Sequence, residues 1–308
     1  MRFTLRQLQI FVAVAMQGNV SRAAESLSLS QSAASTSLSE LEKQTSSQLF
    51  DRAGKRLMLN TLGQQLLPQA VALLEQAKEI QTLFNGKTDF GSLAVGATLT
   101  VGNYLATLLI GSFMQRHPEC QVSLHVQNTS NTVQQIAHYE LDLGLIEGDC
   151  QHPDIEVQPW VDDELVVFCA PEHPLARRGE ASLAELCREA WILREKGSGT
   201  RLTFDQAMRH HPQPLNIRLE LEHTEAIKRA VESGLGISCI SRLALRDAIR
   251  RGSLVAVETP ELDLVRQFHF IWHKQKYQSA AMTEFLELCR ALTKGVSRSD
   301  QIVLPSLR

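Results

Sequence analysis

No apolar run in the 308 residues approaches the roughly 20 that a membrane span requires. Residues 1–20 also lack the basic-then-apolar order of a secretory signal, so the chain is expected in the cytoplasm, off the membrane. The cysteines, at 120, 150, 169, 187, 239 and 289, stand singly, with no CxxC and no His/Cys cluster at zinc-ligand spacing. They read as reduced thiols, mostly core, and no metal or other cofactor is expected. A redox switch at Cys150 is the alternative, but nothing beside it is basic enough to favour a thiolate. There is no Gly-x-Ser-x-Gly elbow, no Walker loop, no glycine triplet after a strand and no paired metal ligands, so catalysis is not expected.

What is present is enough chain for two or three domains, with 44% hydrophobic residues. The formal net charge of −3 is unevenly spread. Residues 1–60 carry seven Lys/Arg against four Asp/Glu, residues 61–88 balance, and the remainder is −6. A mildly basic head on an acidic body fits a protein whose head alone meets phosphates.

In that head, Thr4-Leu5-Arg6-Gln7 has the form of a capping box, and Leu5, Leu8, Phe11, Val12 and Ala15 follow at helical spacing until Gly18. Ser21 is the expected cap of a second helix from about Arg22 to Leu27, and Ser30 of a third from about Gln31 to Lys43. The short turn between them makes the pair cross steeply, with Ala23 and Ala24 at the crossing. Ala34, Leu38 and Leu41 point the third helix inward; Gln31, Ser32, Ser35, Thr36 and Ser39 form the opposite face. These short donors and acceptors enter a major groove without steric conflict, although a merely solvated serine face has the same composition. A short β-ribbon follows, with Arg52, Lys55 and Arg56 placed to neutralise phosphates, and Ser21 and Arg22 join the candidate DNA contacts.

From Thr61 a long helix carries apolar residues at 62, 66, 70, 73, 77, 80 and 84, a coiled-coil seam with Pro68 inside it. It reads as a dimerisation helix over 61–88. Beyond it strands and helices alternate in two sets, an α/β body with mostly parallel sheets. Phe268–Trp272 and a closing helix from about Ser279 to Leu292 follow the second set and are expected to complete the first lobe. That gives a first lobe of 89–164 plus 267–296, a second of 165–266, and crossovers near 162–165 and 264–268.

The head, residues 1–60, through Ala23-Ala24, Ser30-Gln31, Leu41-Glu42, Leu49-Phe50-Asp51-Arg52 and Thr61-Leu62-Gly63, resembles the winged helix-turn-helix of LysR-type transcriptional regulators. The resemblance spans essentially the whole chain. It implies an α/β multidomain protein: a DNA-binding winged helix-turn-helix, a linker helix, and a two-lobed effector domain like a periplasmic binding protein. Implied partners are double-stranded promoter DNA, a small effector, the chain itself as a homodimer through the linker and then a homotetramer, and RNA polymerase. Many members have Pro where this chain has Ser32 and a long basic or amide side chain where it has Thr36, which shifts the expected readout toward shape and phosphate contacts. The stretches "LTVGNYL", "LGLIEGDC" and "AWILREKGSGTR" look like the branch holding the sulfite-responsive YeiE regulators and those related to CysB.

Ligands of open parallel sheets bind beyond the carboxyl ends of strands. Thr98, Leu99 and Thr100 follow the first strand; Ser198, Gly199 and Thr200 follow one in the second lobe, and Thr224 opens a further helix. Hydroxyls and backbone N–H groups at helix starts suit an anion, although the same residues also serve as plain helix caps. Glu147, if it faces the cleft, favours a ligand carrying a proton, such as hydrogensulfite over sulfate; otherwise it is a surface loop residue. With these residues, the resemblance to that branch implies sulfite or a related oxyanion as the expected effector, with a small carboxylate or a redox signal as alternatives. His223 and the pair His210-His211 have no partner at diagnostic spacing and read as surface or cap residues.

Overall fold

The computed structural model describes residues 3–53, 56–84, 90–209 and 215–303. Helix α1, Leu5–Gln17, opens with the predicted capping box: Gln7 N–H donates to Thr4 Oγ1 at 3.2 Å and Thr4 N–H to Gln7 Oε1 at 2.9 Å. Gly18, at φ 59, ends it in the left-handed region. Helix α2 is Val20–Ser26, and Ser21 is not its cap. Asn19 precedes it, and its Oδ1 accepts from the N–H groups of both Ser21 and Arg22, so the helix starts before Ser21. Helix α3, Gln31–Thr45, begins at Ser30 as expected, Ser30 Oγ accepting from Ala33 N–H. Ala23 and Ala24 are buried at the crossing, in one core with Phe11, Val14, Leu38 and Leu41.

Strands β1, Phe50–Ala53, and β2, Arg56–Leu59, pair antiparallel as the expected ribbon, with Arg52 opposite Leu57. Helix α4, Thr61–Phe84, follows directly and runs through Pro68. Asn60 ties its start: Oδ1 accepts from Gly63 N–H at 2.9 Å, and Nδ2 donates to Gln48 O at 2.7 Å. A side chain at Gly63 would lie 2.2 Å from Leu49 O, so only glycine lets the helix dock on the wing. The helix has two apolar faces. Ala70, Val71 and Leu74 are buried, Ala70 and Leu74 in the head core, which removes Ala70 from the predicted seam. Leu62, Leu73 and Ile80 remain exposed at 41, 37 and 52%. The side chain of Phe84 lies outside the described residues.

The body runs β3 Ser92–Thr98, α5 Leu99–Val101, a π turn Gly102–Ala106, α6 Thr107–Arg116, β4 Gln121–Gln127, α7 Thr129–Ala137, β5 Leu143–Glu147 and β6 Ile155–Cys169. It continues with α8 Pro174–Arg178, α9 Leu183–Leu186, β7 Ala190–Arg194, α10 Gly199–Ala207, β8 Asn216–Leu221, α11 Thr224–Glu232, β9 Ser238–Ser241, α12 Arg242–Arg251, β10 Val255–Val257, β11 Val265–His273 and α13 Ala280–Leu292. Strand β3 pairs parallel with β4 and β5, and β7 with β8. Strand β11 is antiparallel to β5 and β6, and β9 and β10 are antiparallel to β6.

The sheets are therefore mixed rather than mostly parallel. The chain leaves the first lobe on β6 and returns on β11, and two strands crossing one gap in opposite directions pair antiparallel. Asp162, Asp163 and Glu164 face Gln267, Arg266 and Val265 in that crossing, within the segments read as crossovers. Phe268, Phe270 and Phe285 do return to the core built on Leu93, Val95 and Phe113, as expected of the last strand and helix. Trp191, Phe204 and Leu165 anchor a separate core beyond the crossing. On the far side of α4, Tyr277 Oη–H (2.7 Å) and Ala280 N–H (3.0 Å) donate to the Glu79 carboxylate, fastening the linker helix to the start of α13.

Candidate functional site

The candidate residues gather in two places. In the head, Gln31, Ser32, Thr36 and Ser39 are exposed along α3 and Ser35 is half-buried, while Ala34, Leu38 and Leu41 are buried on the reverse face. Helical period 3.6 forces this division once the apolar residues fall at i, i+4 and i+7. Ser32 Oγ lies 3.1 Å from Ser30 Oγ, so part of the face is engaged in holding the helix start. Ser21 and Arg22 are exposed on α2, and Arg52 and Arg56 on the ribbon. Lys55, like His210-His211, falls outside the described residues. His223 is exposed and precedes α11 without a side-chain cap bond.

The second place lies between the lobes. Thr98 immediately precedes α5 and Ser198 precedes α10, yet neither side chain caps its helix. Among the described residues Ser198 Oγ and Thr224 Oγ1 are buried with no hydrogen-bond partner, and Thr98 Oγ1 makes only a long contact, 3.5 Å, to Leu145 O. Plain capping therefore does not account for these three hydroxyls. A buried polar group without a partner is costly, roughly 1–3 kcal/mol, so each calls for an explanation, of which a bound molecule is one.

The two lobes meet closely here. Ser130 N–H donates to Gly197 O at 3.2 Å, and Gly199 N–H to Thr129 Oγ1 at 3.1 Å. A Cβ on Gly199 would sit 2.1 Å from the Glu147 carbonyl, so the approach of α10 to the end of β5 requires glycine. A cleft of about 330 Å³ opens at this seam, lined by Thr129, Ser130, Cys150, Lys196, Ser198 and Arg201 among others. Its partner seam is closed by Tyr104, on the π turn, whose hydroxyl donates to Glu225 at 2.5 Å and accepts from Lys228 Nζ at 3.2 Å.

Glu147 is neither a surface loop residue nor a free carboxylate. It is 1% exposed and ion-paired with Arg266 at 2.5 Å, with Thr200 Oγ1 (3.3 Å) and Thr100 N–H (3.4 Å) also donating to it. Burial pushes its carboxyl up, but the Arg266 and Arg194 guanidiniums and the Thr100 bonds outweigh that and hold it below the usual range. Arg266 also donates to Asp163 at 2.8 Å and to Thr200 Oγ1 at 3.0 Å. Asp163 accepts from Ser241 at 2.7 Å and from Ser299; burial nonetheless keeps its carboxyl above the ordinary value. The donors of Thr200 and Thr100 are thus turned toward Glu147, while Leu99 is buried beside them.

Sequence reasoning missed Arg194, Asp163, Arg266, Tyr104 and Lys228. An arginine ending "AWILR" reads as a solvated strand end; here it is 2% exposed. The one available signal was the adjacent Glu195, which clamps it. Cys150 is half-buried and burial pushes its thiol up, away from the thiolate that redox chemistry needs. The other described cysteines are buried, none is in a disulfide, and no helix among the described residues is long and apolar enough to cross a membrane.

Comparison with known proteins agrees with this layout. The family model "Bacterial regulatory helix-turn-helix protein, lysR family" matches residues 5–64, and "LysR substrate binding domain" matches 86–294. The uncharacterized HTH-type transcriptional regulator YeiE of Escherichia coli K12 is 44% identical over 289 residues, covering 94% of this chain and 98% of that protein. The HTH-type transcriptional activator CmpR of Synechocystis is 31% identical, covering 96 and 97%. Among solved structures, the Synechocystis CcmR regulatory domain in complex with 2-PG is 33% identical, with TM-score 0.63, over 67% of this chain and 99% of that one. A full-length OxyR variant from Pseudomonas aeruginosa shares the fold at TM-score 0.72 and 24% identity, covering 94% of each chain.

Proposed function

Because the chain belongs to the LysR family of bacterial transcriptional regulators, we propose that its head grips operator DNA through the exposed face of α3 and the wing arginines, under control of a small anion held between the lobes. It is a DNA-binding regulator with an effector domain, not an enzyme. In this reading Gln31, Ser32, Ser35, Thr36 and Ser39 meet base edges and nearby sugar, while Arg22, Arg52, Lys55 and Arg56 neutralise phosphates. Ser21 and the N–H groups around it lie against the backbone. Pairs of heads are held by the exposed seam of Leu62, Leu73 and Ile80, and pairs of pairs form the working tetramer, which then meets RNA polymerase.

The observation that carries the effector reading is that Thr98, Ser198 and Thr224 stand buried at helix starts without capping them, and that the hydroxyls of Ser198 and Thr224 have no partner among the described residues. Sulfite is the first candidate, through the resemblance to YeiE-type regulators; a small carboxylate is the second, favoured by the likeness to a regulatory domain bound to 2-PG. Glu147 acts by holding Thr100, Thr200 and Arg266 in place rather than by accepting a ligand proton. The anion shifts the lobes only in proportion to its differential affinity for the two arrangements.

The test is a thermal-shift screen of the full chain with sulfite, sulfate, thiosulfate, nitrate and short carboxylates. A gel shift on the chain's own upstream region, with and without the hits, follows. An oxyanion that raises the melting temperature and changes the shifted species is the expected result. A rise with carboxylates alone selects the second candidate, and no rise with any anion overturns the anionic effector.

A further inference from the structure

We infer that Arg194 is the side chain that meets the effector's negative charge. The inference rests on the anionic-effector reading and adds a residue and a ligand chemistry to it. Arg194 ends β7 and is 2% exposed; Glu195 holds its guanidinium by two hydrogen bonds, and its charge also bears on Glu147. Nε donates to Glu195 Oε2 at 2.8 Å and Nη2 to Glu195 Oε1 at 2.9 Å, a bidentate clamp that fixes the plane of the fork. Nη1 is buried and has no acceptor among the described residues. A desolvated cationic N–H is among the most costly groups to leave unpaired, so a folded chain retains one where an acceptor arrives from outside.

Its neighbours point the same way. Residues alternate across a strand, so Arg194 shares the face of Ile192, which packs with Ile227 and Val231 of α11. Helix α11 begins at Thr224, whose Oγ1 is another buried donor without a partner among the described residues. Ser198, four residues beyond Arg194 and at the start of α10, supplies the third; of the three it alone lines the cleft of Thr129 and Lys196, with Arg194 and Thr224 behind it. The backbone of the intervening loop is pinned, since Arg201 Nη1 donates to the Arg194 carbonyl at 2.8 Å. One guanidinium N–H₂ and two hydroxyls, all able to donate, select a ligand presenting acceptor oxygens with negative charge: a small oxyanion or a monocarboxylate.

Titration calorimetry of the full chain decides this, with sodium sulfite, sulfate, nitrate and acetate as probes. The variants are Arg194→Gln/Glu195→Gln, which removes both charges and keeps polar side chains at both positions, and Arg194→Lys, which keeps the ion pair but loses the planar fork. The expected result is a Kd weaker by about 10- to 100-fold in the double variant and by a smaller factor in Arg194→Lys, for whichever probe the wild type binds, with operator affinity in the absence of anion unchanged. Binding within about twofold of wild type in either variant overturns the role of Arg194 alone. If the double variant does not fold, Arg194→Lys carries the decision. Absence of binding by the wild type to every probe overturns the anionic-effector reading itself.

Discussion

Arg266 and Glu147 lie 2.5 Å apart with side chains each 2% exposed, joining the strand that returns to the first lobe to the end of the strand at its centre. Asp163, on the outgoing strand, completes the group at 2.8 Å from Arg266. A buried set of this kind adds little over well-packed apolar residues, but it is costly to break from one side.

Arg266→Leu therefore leaves two buried carboxylates facing each other, and a loss of about 3–5 kcal/mol is expected. Urea denaturation of the variant checks this. A loss under about 1 kcal/mol means that water reaches the crossing and solvates the carboxylates.

The two carboxyls respond to acid in opposite senses. Glu147 is held low in the fold, so the stability it lends is present above its unfolded value and is lost as pH falls through the folded one. Asp163 is held high, so protonating it favours the fold as pH falls. Asp163→Asn should steepen the loss of stability between about pH 7 and pH 3, and Glu147→Gln should flatten it. Urea midpoints across that range measure both slopes; identical slopes in the two variants contradict the assignment.

On the head, Gln31→Ala or Ser35→Ala should weaken operator binding by about 1–3 kcal/mol while sparing random DNA. Arg52→Ala and Arg56→Ala should weaken both alike and each lower the salt slope by about one. Fluorescence anisotropy with operator and scrambled duplexes at several salt concentrations separates the two. Equal loss on both DNAs for Gln31→Ala removes α3 from base readout.

The exposed seam of α4 predicts its own disruption. Leu73→Glu or Ile80→Glu places a charge where apolar surface is to be covered, and sedimentation should show dissociation to smaller species. Ala70→Glu should instead unfold the head, because Ala70 belongs to its core.

Tyr277→Phe removes one of the two described hydrogen bonds by which Glu79 holds the body to the linker. Effector affinity and basal DNA affinity should be unchanged, while the difference that effector makes to DNA binding shrinks. An undiminished response in gel shifts assigns the coupling elsewhere.

Most of the head was legible because caps and helical period are local: Thr4, Gly18 and Ser30 act on residues three or four away. Ser21 misled because the serine looks the better placed acceptor until Asn19 is seen to reach two N–H groups at once. The succession of strands and helices in the body was legible from alternation, but their mixed pairing and the outer half of β6 were not, since "VQPWVDD" pairs polar residues with a strand over a hundred positions later. Helix α12 escaped notice for its many charges, although its apolar side faces the core. Arg194, Asp163 and Arg266 were invisible for one reason: each is a charged residue whose burial depends on partners distant in the chain or on a clamp that only the fold makes inward-facing.

The crossing strands are paired from Ile155 opposite His273 to Glu164 opposite Val265, with one register shift at Phe268/His269, so the lobes are joined by a two-rail ladder and not by slack loops. Such a ladder twists readily and stretches hardly at all. Any rearrangement around a bound anion is thereby restricted to rotation about the rails, and the returning rail ends four residues before Tyr277, where the body grips the linker. The grip of Tyr277 and Ala280 on Glu79 is where a turn of the rails would meet the helix that leads to the head.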